Sequence, residues 1–198
     1  MDDHPRSMKA PRHLGPFLAI AATGCSVLVA LRLEGQRWWC ACGESWLWVS
    51  NVWTKHCSRH LADPYTLTHV SHGLIFFAVL VWLRPKWTIG WRLAIGVGIA
   101  AAWEIIENSA FVINRYRNHT MSVEYLGDSV ANSLGDILAC VAGFEIARRF
   151  GLWVALAVFL ALELVLAFLI RDNLTLSTLM LIHPLEAIKA WQMAGRGP

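Results

Sequence analysis

Charge is scarce in this chain. Asp, Glu, Lys and Arg make up 16% of its 198 residues, where soluble domains carry about 25%. That shortage fits a membrane protein. The net charge is only +3, and the basic residues fall in short clusters between apolar runs. They read as topology signals and exclude a nucleic-acid-binding surface. Low-complexity segments are missing, and so is any internal repeat of the inverted kind used by many transporters. No standard zinc spacing is found, nor the Glu-x-x-His pattern of di-iron bundles.

What is present is hydrophobic, at 56% of residues. Five apolar runs, at about 15–33, 64–83, 91–113, 127–147 and 152–170, are each long enough to cross about 30 Å of hydrocarbon. Glu34-Gly35-Gln36-Arg37 after the first run has no small-x-small cleavage pattern, so that run reads as an uncleaved helix. Asp63-Pro64 marks the start of the second, as N-cap and first helical residue. Residues 174–191 alternate apolar and polar groups around Pro184 and read as an interfacial helix. The expected fold is all-α, a polytopic membrane helical bundle of about five transmembrane helices plus that interfacial helix. It forms one domain over 15–193, with polar tails at 1–14 and 194–198. Dense positive charge at Arg6, Lys9 and Arg12, at Arg84, Lys86 and Arg92, and at Arg148 and Arg149 puts the N-terminus in the cytoplasm. The loop 34–63, the 115–126 loop and the tail then face outward.

Tryptophan is abundant, with 11 residues. Most flank the apolar runs, as interfacial anchors do; Trp103 lies inside one. Of five cysteines, Cys25 and Cys140 sit in apolar runs, whereas Cys40, Cys42 and Cys57 share the long loop. There, a disulfide from Cys57 to Cys40 or Cys42 competes with a Cys-x-Cys metal-ligand pair completed by His56 or His60.

Inside the apolar runs stand residues that are expensive in lipid. An ionised carboxylate at a bilayer centre costs roughly 2.5–3.5 kcal/mol on insertion scales. His69 and His72 lie at i, i+3 in the second run. Glu104, Glu107 and Asn108 lie at i, i+3, i+4 in the third, and Asp128, Asn132 and Asp136 at i, i+4, i+8 in the fourth. Each set follows one helix face, and all three fall in the same half of the bilayer. Small residues at Gly135, Ala139 and Gly143 would let a neighbouring helix approach. Four carboxylates beside neutral imidazoles need compensation. A divalent metal pair would supply it, with His69, His72, Glu104, Glu107, Asp128 and Asp136 as ligands and Asn108 and Asn132 behind them. Arg115, Arg117 and Arg171 at the same end would be counter-charges instead, or some acids would stay protonated. Glu163 in the fifth run reads as a protonated inter-helix hydrogen-bonding group.

Several strings resemble a known family. They are Tyr-Thr-Leu-Thr-His-Val-Ser-His-Gly (65–73), Trp-Glu-Ile-Ile-Glu-Asn-Ser (103–109), Asn-Arg-Tyr-Arg (114–117), Tyr-Leu-Gly-Asp-Ser-Val-Ala-Asn-Ser (125–133), Ile-Arg-Asp-Asn-Leu-Thr-Leu (170–176) and Glu-Ala-Ile-Lys-Ala-Trp-Gln (186–192). They look like the bacterial integral membrane proteins of uncharacterised protein family three-one-four, over nearly the whole chain from about residue 35. The resemblance implies a multi-pass protein of the bacterial inner membrane, and supplies no activity, cofactor or catalytic residue. Three functions fit the residues: a membrane metalloenzyme acting on a lipid or quinone-like substrate, a small proton-coupled transporter, and a non-catalytic assembly protein. The expected partners are membrane lipids, with a homo-oligomer or a membrane partner as a further expectation.

Overall fold

The computed structural model describes residues 14–196. The basic cluster Arg6, Lys9 and Arg12, used for orientation, lies outside them. Among the described residues there are eight helices and no strand. They are α1 (Leu14–Leu33), α2 (Thr66–Leu83), α3 (Ile89–Glu107), α4 (Ala110–His119), α5 (Val130–Phe150), α6 (Leu152–Ile170), α7 (Leu174–Ile182) and α8 (Glu186–Met193). Five of them, α1, α2, α3, α5 and α6, are long and apolar enough to cross a membrane.

Several boundaries differ from the expected ones, and three of them have a clear local cause. The third run does not continue to 113. It ends at Glu107, Asn108 caps it, and the Ser109 hydroxyl accepts from Val112 N–H to start α4. The fourth begins at Val130 and not at 127, because Ser129 caps α5 by accepting from Asn132 N–H at 3.1 Å. The tail is two short helices, parted at His183, Pro184 and Leu185, since proline interrupts the helical ladder. At the start of α2, Asp63 accepts from Tyr65 N–H at 2.7 Å, and a tight turn over Pro64 and Tyr65 precedes regular helix.

One core joins α1, α3 and α5 through Val27, Leu31, Val97, Ala100, Ala101, Ile137 and Cys140. The most extensive pairing is α2 on α5. Gly73 and Gly143 make it close: a Cβ at Gly73 would stand 1.9 Å from the Cys140 carbonyl oxygen, and one at Gly143 2.0 Å from that of Val70. The backbones therefore touch where a side chain would separate them. The loop before α2 has no regular structure beyond one bridge between Trp48 and Ala62. It nevertheless covers the start of α5. Arg37, Trp38 and Ser58 carbonyls accept from Val130, Ala131 and Ser129 N–H groups, which satisfies donors a helix start leaves open.

Candidate functional site

The close α2–α5 pairing, with α3 alongside, sets the geometry of the polar residues. His69 on α2 faces Glu104 on α3, Nδ1 to Oε1 at 3.4 Å, and Asp136 on α5, Nε2 to Oδ2 at 3.9 Å. Three elements thus meet at one imidazole. His69, Glu104 and Glu107 each offer a ligand atom, all within 4.8 Å of one another. His72 and Asp136 line the adjoining cavity with Glu107. The His72 ring packs edge-on to that of His69, with centroids 5.1 Å apart.

This cluster is short of hydrogen-bond partners. Glu104 is fully buried, and neither of its carboxyl oxygens is hydrogen-bonded. His69 Nδ1, Asp136 Oδ1 and Asn132 Oδ1 are likewise buried and unpartnered. Buried polar atoms without partners cost about 1–3 kcal/mol each, and more when charged. The meeting of the His69, Glu104 and Asp136 atoms at one point is what a ligand or ion would relieve.

Beside the cluster lies a cavity of about 230 Å³. Its walls are Trp53, Trp103, Met121 and Leu181 on the apolar side, with Tyr65, Tyr116, Ser177 and Thr178 supplying polar groups. Apolar walls with a few convergent polar groups are the usual make-up of a small-molecule site.

Asp128 and Asn108 are engaged with each other. Asn108 Nδ2 donates to Asp128 Oδ2 at 2.9 Å, and Asn108 Oδ1 accepts from Asp128 N–H at 2.6 Å. Tyr125 OH donates to Asp128 Oδ1 at 3.0 Å. Both oxygens of Asp128 are therefore in use, and the pair clamps the α3 end to the α5 start. Burial raises the Asp128 carboxyl to about 6 in spite of these donors. Asn132 reaches back to the loop, its Nδ2 lying 3.5 Å from the Leu61 carbonyl oxygen.

Neither Arg115 nor Arg171 reaches the acids. Arg115 donates to the carbonyls of Leu181 and Ile182 at the end of α7, and Arg171 to that of Trp191 in α8. Cations there complete open carbonyls at helix ends. Glu163 also differs from its expected role. Its two oxygens accept from Leu174 and Thr175 N–H at 3.0 and 3.1 Å, so it anchors the start of α7.

Sequence reasoning missed Arg59, which donates to the Leu126 carbonyl at 2.6 Å and to Gln36 Oε1 at 3.2 Å. It missed Tyr65, Tyr116 and Tyr125 as cavity residues, and Asp172 as an anchor. All of these lie in loops, short helices or their ends, where no hydropathy period marks an inward side chain. Cys57, for which a disulfide is one of two readings the sequence leaves open, donates its thiol to Asp63 Oδ2 at 3.6 Å, and burial pushes that thiol well above its ordinary range.

A family profile described as "Protein of unknown function (DUF2585)" matches residues 31–194. The chain belongs to this family. Among curated relatives, a "UPF0314 protein" of Paracoccus denitrificans is 47% identical over 170 residues, covering 85% of this chain and 88% of the relative. Proteins of that description from Sphingopyxis alaskensis and Brucella anthropi are 45% and 44% identical, covering 90% and 88% of this chain and 95% and 87% of their own lengths. No solved structure matches the chain. The family match starts just before the long loop and runs through α8, so it includes every residue of the buried cluster.

Proposed function

We propose that this is a multi-pass protein of the bacterial cell membrane in which His69, Glu104 and Glu107 hold a divalent cation, with Asp136 beside them. The cation would serve a reaction on a lipid-soluble substrate admitted to the adjoining cavity. One observation carries the reading: the unpartnered oxygens of the fully buried Glu104 converge with the unpartnered Nδ1 of His69. No Lys or Arg among the described residues forms an ion pair with these acids. Nitrogen and carboxylate donors suit borderline and hard divalent ions.

Such an ion supplies Lewis-acid polarisation or an activated water. The chain's own part is to orient, to exclude water and to handle protons. His72 and Asp136 stand on the cavity wall and are groups that exchange protons. Trp53, Trp103 and Leu181 favour an apolar body, while the Tyr65 and Ser177 hydroxyls, whose protons go to Asp172, would accept from a polar end. Asp128 and Asn108 act indirectly, by fixing the α3 end that carries Glu104 and Glu107.

Metal content of the purified full-length protein tests this. Wild type grown with ample metal should hold a divalent ion that His69→Ala and the near-isosteric Glu104→Gln each remove. Helicity measured alongside separates lost metal from lost fold. A wild-type protein without that ion would overturn the reading. So would folded variants that keep the full content, and the cluster would then be helix-packing glue in an assembly protein.

A further inference from the structure

A second cluster, chemically unlike the first, lies in the long loop before α2. Cys40, Cys42, His56 and His60 each present one ligand atom, all within 4.8 Å of one another. Cys40 Sγ lies 3.4 Å from His56 Nδ1, and Cys42 Sγ lies 3.6 Å from His60 Nε2. Zinc bonds of about 2.3 Å to sulfur and 2.05 Å to nitrogen, at tetrahedral angles, give a sulfur–nitrogen edge of about 3.6 Å. The two observed edges are already close to that length.

The tautomer of His60 also suits a ligand. Its Nδ1 lies 3.1 Å from the Trp46 carbonyl oxygen, which only accepts, so Nδ1 carries the proton and donates. Nε2 is then the lone-pair nitrogen, and it is the one facing Cys42. A backbone carbonyl holding the second imidazole nitrogen is the usual support of a metal-bound histidine. The Trp46 ring stacks on that of His60 at 5.3 Å and meets that of His56 edge-on at 5.4 Å, which fixes both rings. Cys57, the other thiol of the loop, is turned to Asp63 and is no disulfide partner for either cysteine.

The loop has a physical need for such a staple. It runs from the end of α1 to the start of α2 with a single bridge as its regular structure. Segments of that length without structure are uncommon in compact domains unless something orders them. Two thiolates and two neutral imidazoles around a divalent cation sum to zero charge, which suits a half-buried site. Closure of the loop would hold Arg59, Ser58 and Asp63 where they cover the starts of α5 and α2.

We infer that Cys40, Cys42, His56 and His60 form a closed four-coordinate structural site for Zn²⁺, separate from the buried His69 cluster and independent of it. The test uses full-length protein, purified under reducing conditions, stripped of metal and loaded with Co²⁺. A thiolate-to-cobalt charge-transfer band is expected in wild type, bleached by one equivalent of Zn²⁺. The Cys40→Ser, Cys42→Ser double variant should lack it, and His69→Ala should keep it. His56→Cys retains four ligands, so its band should persist and intensify even if the serine variant folds poorly. Wild type without the band would overturn the inference, as would a band that survives the double substitution. A wild type that shows the band but lacks the ion removed by His69→Ala would leave this site standing and remove the intramembrane one.

Discussion

Asp172 joins three parts of the chain through one carboxylate. It accepts from Tyr65 OH before α2, from Ser177 in α7, from Gln192 in α8 and from Asn173 N–H. Burial nevertheless outweighs these donors and raises it to about 6 from an ordinary 3.8. Between those values the folded protein holds a proton that the unfolded chain has released. Stability therefore falls as pH rises through that window and levels off above about 6, a difference on the order of 3 kcal/mol. Asp128, also near 6, adds a similar slope. Asp172→Asn should flatten the pH dependence of the melting temperature in detergent by about one proton's worth, leaving the Asp128 part. An unchanged slope would show that Asp172 titrates normally. Asn108 is a second single-residue lever. Asn108→Ala strips both bonds from Asp128 and should cost about 2–3 kcal/mol. Asn108→Asp keeps the shape but sets carboxylate against carboxylate, so it should cost more; a milder effect would argue against the clamp.

Among the elements, the α2–α5 pairing governs the site, because His69 and Asp136 ride on its two faces. Its tightness rests on Gly73 and Gly143. Gly73→Ala forces a methyl into the Cys140 carbonyl and should destabilise by about 1–3 kcal/mol or more. Gly98 on α3 has nothing within 4 Å of where a Cβ would stand. Gly98→Ala should instead stabilise by about 0.5–1 kcal/mol through helix propensity. Thermal denaturation of the two variants should thus move in opposite directions, and a joint fall would mean that propensity and packing have been misassigned. The close helix approach was legible from Gly143, whereas Gly135, also expected against a helix, faces the Leu61 carbonyl of the loop. The matching Gly73 was not, because a lone glycine in an apolar run carries no signal of what faces it.

For the molecule as a whole, α6 presents Trp153, Leu164 and Phe168 outward at 85%, 72% and 86% exposure. A helix so apolar on its open side needs lipid or another chain against it. If α1, α2, α3, α5 and α6 all cross a membrane, the long loop, the α4 region and the α7–α8 tail would share one side, and the Arg84–Lys86 turn would take the other. Epitope tags inserted after Ser45 and after Lys86 should be reached from opposite faces. Access to the Ser45 tag is expected in spheroplasts, and to the Lys86 tag only after the inner membrane is opened. Two tags on the same face would overturn the five-crossing topology.

Hydropathy by itself determined the all-helical class and the five long apolar helices, since a 20-residue apolar run has one low-energy form when its backbone must satisfy itself. The costly residues in those runs could be picked out for the same reason. Tertiary structure decided which of them meet. Helical period puts His69, Glu104 and Asp136 each on a face, but only the packing of α2 on α5 turns those faces toward one point. It also decided that Asp128 spends its oxygens on Asn108 and Tyr125, that Glu163 caps α7, and that Arg115 and Arg171 turn to carbonyls. Such choices depend on distances between segments far apart in the chain, and local pattern holds no record of them.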